Sequence, residues 1–174
     1  LPEGDRIIGV ANCGANDDIL LSGFRGKCIR FPVIDVRVFK SRDSVGVRGI
    51  RLVGDDELIA MSILRHVDCD SDARELYLRW SNARRRAEGD DGVGDDPLAD
   101  GPPQSETMTA TEQFVLSITE NGYGKRTSAY EYRVTGRGGQ GIINIETSDR
   151  NGPVVASAPV EEGHHIMLVT DTGR

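Results

Sequence analysis

YGKRTSAYEYRVTGRGGQGIINI, residues 123–145, holds a basic turn, an aromatic alternation and a glycine-rich loop in one short span. A weaker copy lies 96 residues upstream. Three kinds of marker align the copies. A turn of glycine and basic residues recurs as Arg25-Gly26-Lys27, as Gly122-Tyr123-Gly124-Lys125-Arg126 and as Thr172-Gly173-Arg174. Each follows an apolar run: Ile19-Leu20-Leu21, Phe114-Val115-Leu116 or Ile166-Met167-Leu168. A glycine leading into β-branched residues recurs at Gly46-Val47-Arg48-Gly49-Ile50 and Gly141-Ile142-Ile143-Asn144-Ile145. A turn followed by an apolar strand recurs as Gly4-Asp5-Arg6-Ile7-Ile8-Gly9, Asp55-Asp56-Glu57-Leu58-Ile59-Ala60 and Asn151-Gly152-Pro153-Val154-Val155-Ala156.

The spacings fix a period. Gly9 to Ala60 and Gly122 to Gly173 are both 51 residues, whereas Ala60 to Ala156 and Gly26 to Gly122 are both 96. The repeat is therefore 51 residues, with a 45-residue insertion between the two complete units. A period of that length built of short strands predicts an all-β chain of propeller-like blades, about four strands each. Such a unit cannot bury its own apolar face, so neighbouring blades complete each core. The expected division is the end of a preceding blade over 1–15, a complete blade over 16–67, the insertion over 68–112, a second blade over 113–162 and the start of another over 163–174. Two blades and two partial ones form only part of a ring, so the chain reads as a piece of a longer protein.

Within the blades, Ile19 to Leu21 and Cys28 to Phe31 are expected as a hairpin around a turn at 23–27, with Pro32 ending the return strand. Residues 35–39, 48–53 and 58–64 are read as further strands. In the insertion, Asp72-Ala73-Arg74-Glu75 fits a capping box and predicts one short helix over about 72–86. Ala73, Leu76, Tyr77, Trp80 and Ala83 would share its apolar stripe, with the Trp80 face on the blades. Residues 88–107 have almost no large apolar side chains and are expected to be disordered.

The net charge of −7 argues at first against nucleic acid, but its distribution reverses that reading. Residues 68–112 carry twelve acids and five bases, so the remainder is neutral. Residues 19–52 carry eight bases against Asp35 and Asp43. The blades thus have basic loops and the insertion is acidic. Cys13, Cys28 and Cys69 have no metal spacing and form no even disulfide set. No membrane-length apolar run is present.

Gly136-Arg137-Gly138-Gly139-Gln140-Gly141 has the spacing of a dinucleotide-binding loop, but a β-branched run follows where that motif needs a helix. It reads instead as a loop between strands, with Arg137 able to reach a phosphate across bare glycine backbone. His66, His164 and His165 have no partners at ligand spacing, Tyr130 and Tyr132 share a face, and no catalytic or metal constellation is visible. The cations recur: Lys27 with Lys125, Arg37 with Arg133, Arg42 near Arg137. On a propeller rim they would make a curved basic track for bent duplex DNA held by its phosphates. The candidate contacts are Arg25, Lys27, Arg30, Arg37, Arg42, Arg48, Lys125, Arg126, Arg133 and Arg137. Asp90, Asp91, Asp95, Asp96 and Asp100 either compete with DNA for that track or form a solvated linker.

These residues resemble the C-terminal domains of the A subunits of DNA gyrase, a bacterial type II topoisomerase. The likeness rests on Phe24-Arg25-Gly26-Lys27 with Arg30-Phe31, Asp35-Val36-Arg37, Gly46-Val47-Arg48-Gly49-Ile50-Arg51-Leu52, Glu120-Asn121-Gly122-Tyr123-Gly124-Lys125-Arg126-Thr127, Arg150-Asn151-Gly152 and Ile166-Met167-Leu168-Val169-Thr170-Asp171. The resemblance implies a β-pinwheel that wraps duplex DNA for ATP-dependent negative supercoiling, in a cytoplasmic, nucleoid-associated bacterial enzyme. It implies ATP and Mg²⁺ for the whole enzyme and none in this segment. It also implies the gyrase B subunit as partner in an A2B2 assembly, bound through other parts of the A subunit. The family's Gln-Arg-Arg-Gly-Gly-Lys-Gly box is not matched, since residues 136–141 lack its Gln-Arg start and have Gln140 at its lysine. No tyrosine here matches the strand-cleaving context. An A-type subunit of topoisomerase IV, which decatenates, and a propeller serving as a protein-interaction platform are the alternatives.

Overall fold

The computed structural model describes residues 3–40, 45–89, 101–161 and 163–173; Arg42, residues 90–100 and Arg174 lie outside them. Strands β1 (Asp17–Gly23) and β2 (Lys27–Pro32) form a hairpin, and β3 (Leu58–Arg65) pairs with the other side of β1. In the second unit β4 (Phe114–Thr119) is the centre strand, flanked by β5 (Gly124–Ser128) and β7 (Val154–Val160). The short strand β6 (Ile142–Ile143) leaves its own unit and pairs with β2, Ile143 opposite Lys27 and Ile142 opposite Cys28. The sheets run β3-β1-β2-β6 and β5-β4-β7. The expectation of about four strands per unit is met in the first sheet only by borrowing one from the next unit.

The continuous apolar run in β1 is explained by burial on both faces. Leu20, Cys28 and Leu64 point to the second sheet, where they meet Val115, Ala129 and Tyr132. Leu21, Ile29 and Phe31 point the other way, since side chains alternate along a strand, and Ile50 covers them together with Val36 and Leu52. A polar chain crosses between the sheets. Tyr132 donates to Asn144 Oδ1 (2.8 Å), Asn144 donates to Ser117 (2.8 Å), and the hydroxyls of Ser117, Ser157 and Ser22 follow at 3.2 and 3.1 Å. Among the described residues no buried side-chain nitrogen or oxygen lacks a partner.

Two glycines make the strand exchange possible. Gly26 turns the hairpin at φ +85° and accepts from the N–H groups of Asn144 (2.8 Å) and Ile145 (3.2 Å). A Cβ at Gly26 would overlap the Ile145 carbonyl oxygen. Gly141, at φ +71°, leads into β6 so close to β2 that a Cβ would overlap the Cys28 carbonyl oxygen.

Several local expectations are corrected. Residues 35–39 form no strand; a 3-10 turn at Val33–Asp35 precedes them, and residues 45–53 also form none. Val47 and Arg48 are the counterparts of Ile142 and Ile143 but have no β2-like edge beside them among the described residues. Extended backbone needs such an edge to satisfy its polar groups. Tyr130 lies within a 3-10 turn at Ala129–Glu131 and Tyr132 follows it, and the two enter separate cores rather than one face.

In the insertion, helix α1 (Ser71–Gly89) is longer than expected and is capped by Asp70, whose Oδ1 accepts from the Ala73 N–H at 2.7 Å, not by Asp72. Its buried positions are Tyr77, Leu78 and Ser81, while Leu76 is 48% exposed. Tyr77, not Trp80, is the anchor. Its ring meets Tyr130 edge-on at 5.3 Å and its hydroxyl donates to Glu112 at 3.0 Å, so this large residue buries with its polar end satisfied. Burial pushes that hydroxyl up to about 12, so it remains a donor at neutral pH. The expected disorder over 88–107 is corrected at its end by helix α2 (Ser105–Thr111). One side chain explains it: Met108, 1% exposed, packs among Tyr77, Leu78 and Tyr130.

Replacing Gly141 by alanine combines a positive φ with a backbone clash, and is expected to destabilise the chain by about 2–4 kcal/mol. Gly136→Ala, where a Cβ meets nothing, should stay within about 0.5 kcal/mol. Urea unfolding midpoints of the two variants measure the difference.

Candidate nucleic-acid interface

The predicted cations separate into structural and exposed groups. Arg30 is a correction: it is 4% exposed and cannot reach DNA. Its Nε donates to Asp18 Oδ2 at 2.8 Å, Nη1 to the Ala129 carbonyl at 2.8 Å, and Nη2 to the Arg65 carbonyl at 2.9 Å. The other oxygen of Asp18, itself fully buried, meets His66 Nδ1 at 2.8 Å. A buried guanidinium is tolerated when a carboxylate and further acceptors surround it, and Arg30 has all of these.

Arg25 is exposed but ion-paired. Asp55 accepts from its guanidinium, which raises the arginine and holds the Asp55 carboxyl below its ordinary range. An exposed pair of this kind is weak enough for a phosphate to compete with. Lys27, at the start of β2, is half-buried, and Lys125, in β5, is exposed. Neither has a carboxylate partner among the described residues. Arg126 is exposed and lies 3.8 Å over the Phe114 ring.

A third group gathers around the glycine-rich loop. Gly138 donates to the Gly49 carbonyl and Arg51 donates to the Gly139 carbonyl, at 2.5 and 2.8 Å. Those bonds dock the loop of the second unit on residues 48–51 of the first. Arg137 then reaches the carbonyls of Asp35 (2.8 Å) and Arg48 (3.2 Å). Carbonyls orient its guanidinium without neutralising it, so Arg137 and Arg48 present cations from two units on one surface. Arg37 lies 4.9 Å over Phe39 and donates to the Val45 carbonyl, and Arg133 is exposed. Arg42 lies outside the described residues.

Among the surface arginines that sequence reading did not count as contacts, Arg150, Arg65 and Arg85 stand out. Arg150 donates to the Tyr123 hydroxyl at 3.1 Å and lies over its ring beside the Lys125 turn. Arg65 and Arg85 line a cleft under α1. Arg150 and Arg65 fall just outside the most basic stretches of the sequence, and Arg85 was hidden in a segment that is acidic on average. Cys28 is buried, and burial pushes its thiol up to about 12, which removes it as a nucleophile. Among the described residues no group of three or more His, Cys, Asp or Glu could hold a metal ion, and no helix is long and apolar enough to cross a membrane.

A family model described as DNA gyrase C-terminal domain, beta-propeller, matches residues 17–65 and 113–161. The DNA gyrase A subunit of Granulibacter bethesdensis is 47% identical over 191 residues, covering all of this chain and 20% of that protein. Its counterpart in Rickettsia bellii is 42% identical over 177 residues with the same coverage. That of Salmonella typhimurium is 32% identical over 173 residues, 99% of this chain and 14% of that protein. The chain thus spans about a fifth of the length of the first of these relatives. A solved DNA gyrase A C-terminal domain superposes with a TM-score of 0.51 over 87% of this chain and 33% of that one, at 18% identity, a likeness of fold.

Both matched stretches carry an arginine at one hairpin position, Arg30 opposite Leu20 and Arg126 opposite Leu116. Their surroundings predict different costs. Arg30→Leu strands Asp18 in the core and should cost about 3–5 kcal/mol in unfolding free energy. Arg126→Gln should cost under about 1 kcal/mol, since an exposed cation–π contact is all it loses. A thiol test is also available: iodoacetamide at about pH 8 should label exposed Cys13 in the folded chain and reach Cys28 only after unfolding.

Proposed function

The chain belongs to the DNA gyrase C-terminal domain family, and on that premise we propose that it is a DNA-wrapping segment of a gyrase A subunit. The observation that carries this reading is that cations recur in both units with no carboxylate partner among the described residues, among them Lys27 and Arg48 in the first unit and Lys125 and Arg133 in the second. Each can displace counterions from a phosphate, a contact that carries no sequence information. Arg37 and Arg137 add charges held by carbonyls, and Arg25 adds one shared with Asp55. Contacts repeated from blade to blade favour a bent duplex, because each unit presents its loops at a new angle around the ring.

In this proposal the chain supplies binding and bending and no bond chemistry. Residues 16–67 and 113–162 are its two blades, 68–112 the insertion, and 1–15 and 163–174 parts of neighbouring blades. Strand passage, with ATP and Mg²⁺, takes place elsewhere in a cytoplasmic, nucleoid-associated A2B2 assembly with the gyrase B subunit. The relatives described above carry the gyrase name, which favours supercoiling over the decatenation of topoisomerase IV. A protein-interaction platform would have no need of duplex affinity at moderate salt.

A random-sequence duplex of about 40 base pairs, titrated over a salt series, tests the reading. Binding should be alike for different sequences and should weaken linearly in log–log form. Arg37→Gln with Arg133→Gln should flatten that slope by about 0.9 per lost contact. An unchanged slope removes those two residues from the surface, and no binding by the wild type at low salt removes DNA.

A further inference from the structure

Between helix α1 and the end of the second sheet lies a cleft of about 600 Å³, away from the glycine-rich loop. Its wall is rich in arginine: Arg84 and Arg85 from α1, Arg65 from the end of β3, and Arg126 from β5. Glu112 and Glu161 are the acids that line it. Glu112 is committed, since it accepts from Arg85 at 3.2 Å and from Tyr77 at 3.0 Å. Glu161 lies 4.0 Å from His164. Arg65 and Arg126 have no carboxylate partner among the described residues. The guanidiniums of Arg85 and Arg126 lie over the same Phe114 ring, at 5.3 and 3.8 Å. Glu112 offsets the charge of Arg85, whose other terminal nitrogen donates to Ser81 and Asn82, so the charge left for an incoming anion is that of Arg65 and Arg126.

We propose that this cleft is a phosphate-binding notch for duplex DNA, in which Arg65 and Arg126 take the phosphate and the insertion, through Arg85 held by Glu112, supplies the facing wall. This rests on the DNA-wrapping reading and extends it to residues 66–112, which the family model does not match. Duplex is favoured over single strands by the state of the rings. Phe114 is covered by two guanidiniums, and Trp80 already meets Arg84 at 5.6 Å and Tyr77 at 5.8 Å. Those contacts compete with the base stacking on which single-strand sites depend. What the cleft offers is charge in a fixed fork geometry, which suits phosphate oxygens.

The test uses the full-length protein that carries this chain, with Arg65→Gln and Arg126→Gln singly and together. Arg85 is left in place because Glu112 depends on it. The slope of duplex affinity against salt should fall by about 0.9 for each variant and about 1.8 for the pair, equally for unrelated sequences. Arg126→Lys should restore most of the slope, since a phosphate contact needs the charge whereas a structural role would need the guanidinium on Phe114. An unchanged slope in the double variant, with Arg37→Gln and Arg133→Gln still flattening it, overturns the notch and leaves the wrapping reading intact. A loss confined to single-stranded oligonucleotides overturns the duplex assignment. Unchanged slopes in both sets of variants overturn the notch together with the reading on which it rests.

Discussion

The guanidinium of Arg30 uses all three of its nitrogens inside the protein, on Asp18, on the Arg65 carbonyl at the end of the same sheet, and on the Ala129 carbonyl of the second unit. A charge that deep persists only while every partner stays in place. The register of the first sheet and the seating of the second unit are therefore coupled at one side chain. The equivalent position in the second unit shows what happens when the partner changes. There Phe114 stands where the first unit has Asp18, and Arg126 remains at the surface over an aromatic ring. One repeated arginine is a structural latch and the other a free charge, and the residue diagonally across the hairpin decides between them.

The same dependence between units shapes the basic surface. β6 completes the sheet of the preceding unit, and the glycines at 26 and 141 permit the close approach that this requires. With β6 in place, the glycine-rich loop is drawn across residues 48–51, which sets Arg137 beside Arg48. Neither unit alone would hold that pair together. The basic surface proposed to hold DNA is a product of strand exchange rather than of any one blade, so mutations in the exchanged strand are expected to disturb that surface as well as stability.

The repeat, the hairpins and the glycine turns were legible in the sequence because they obey local rules: period-two alternation and positive-φ turns. The exchange of β6 was not, since Ile142-Ile143 satisfies strand propensity equally well in either sheet. The burial of Arg30 left a faint signal, an aspartate at the head of an apolar strand diagonally across the hairpin from an arginine, but basic composition alone reads Arg30 and Arg126 as alike. Asp70 and Asp72 both suit a helix cap, and the choice was made by the Ala73 N–H. Helix α2 was hidden by composition, because a single buried methionine decides its fate and an average over twenty residues dilutes it.

That dilution also governs how the insertion's charge is understood. Residues 68–112 sum to −7, which reads as a segment that repels DNA. Yet among the described residues Glu112 is bound to Arg85 and Tyr77. Where α1 meets the blade, the charged side chains lining the cleft are mostly arginines. Screening in salt water limits a charge's reach to about 8–10 Å, so a phosphate at the cleft would respond first to the charges that line it. An insertion acidic as a whole can thus carry a cationic face, and under the DNA-wrapping proposal its effect depends on which face the duplex meets.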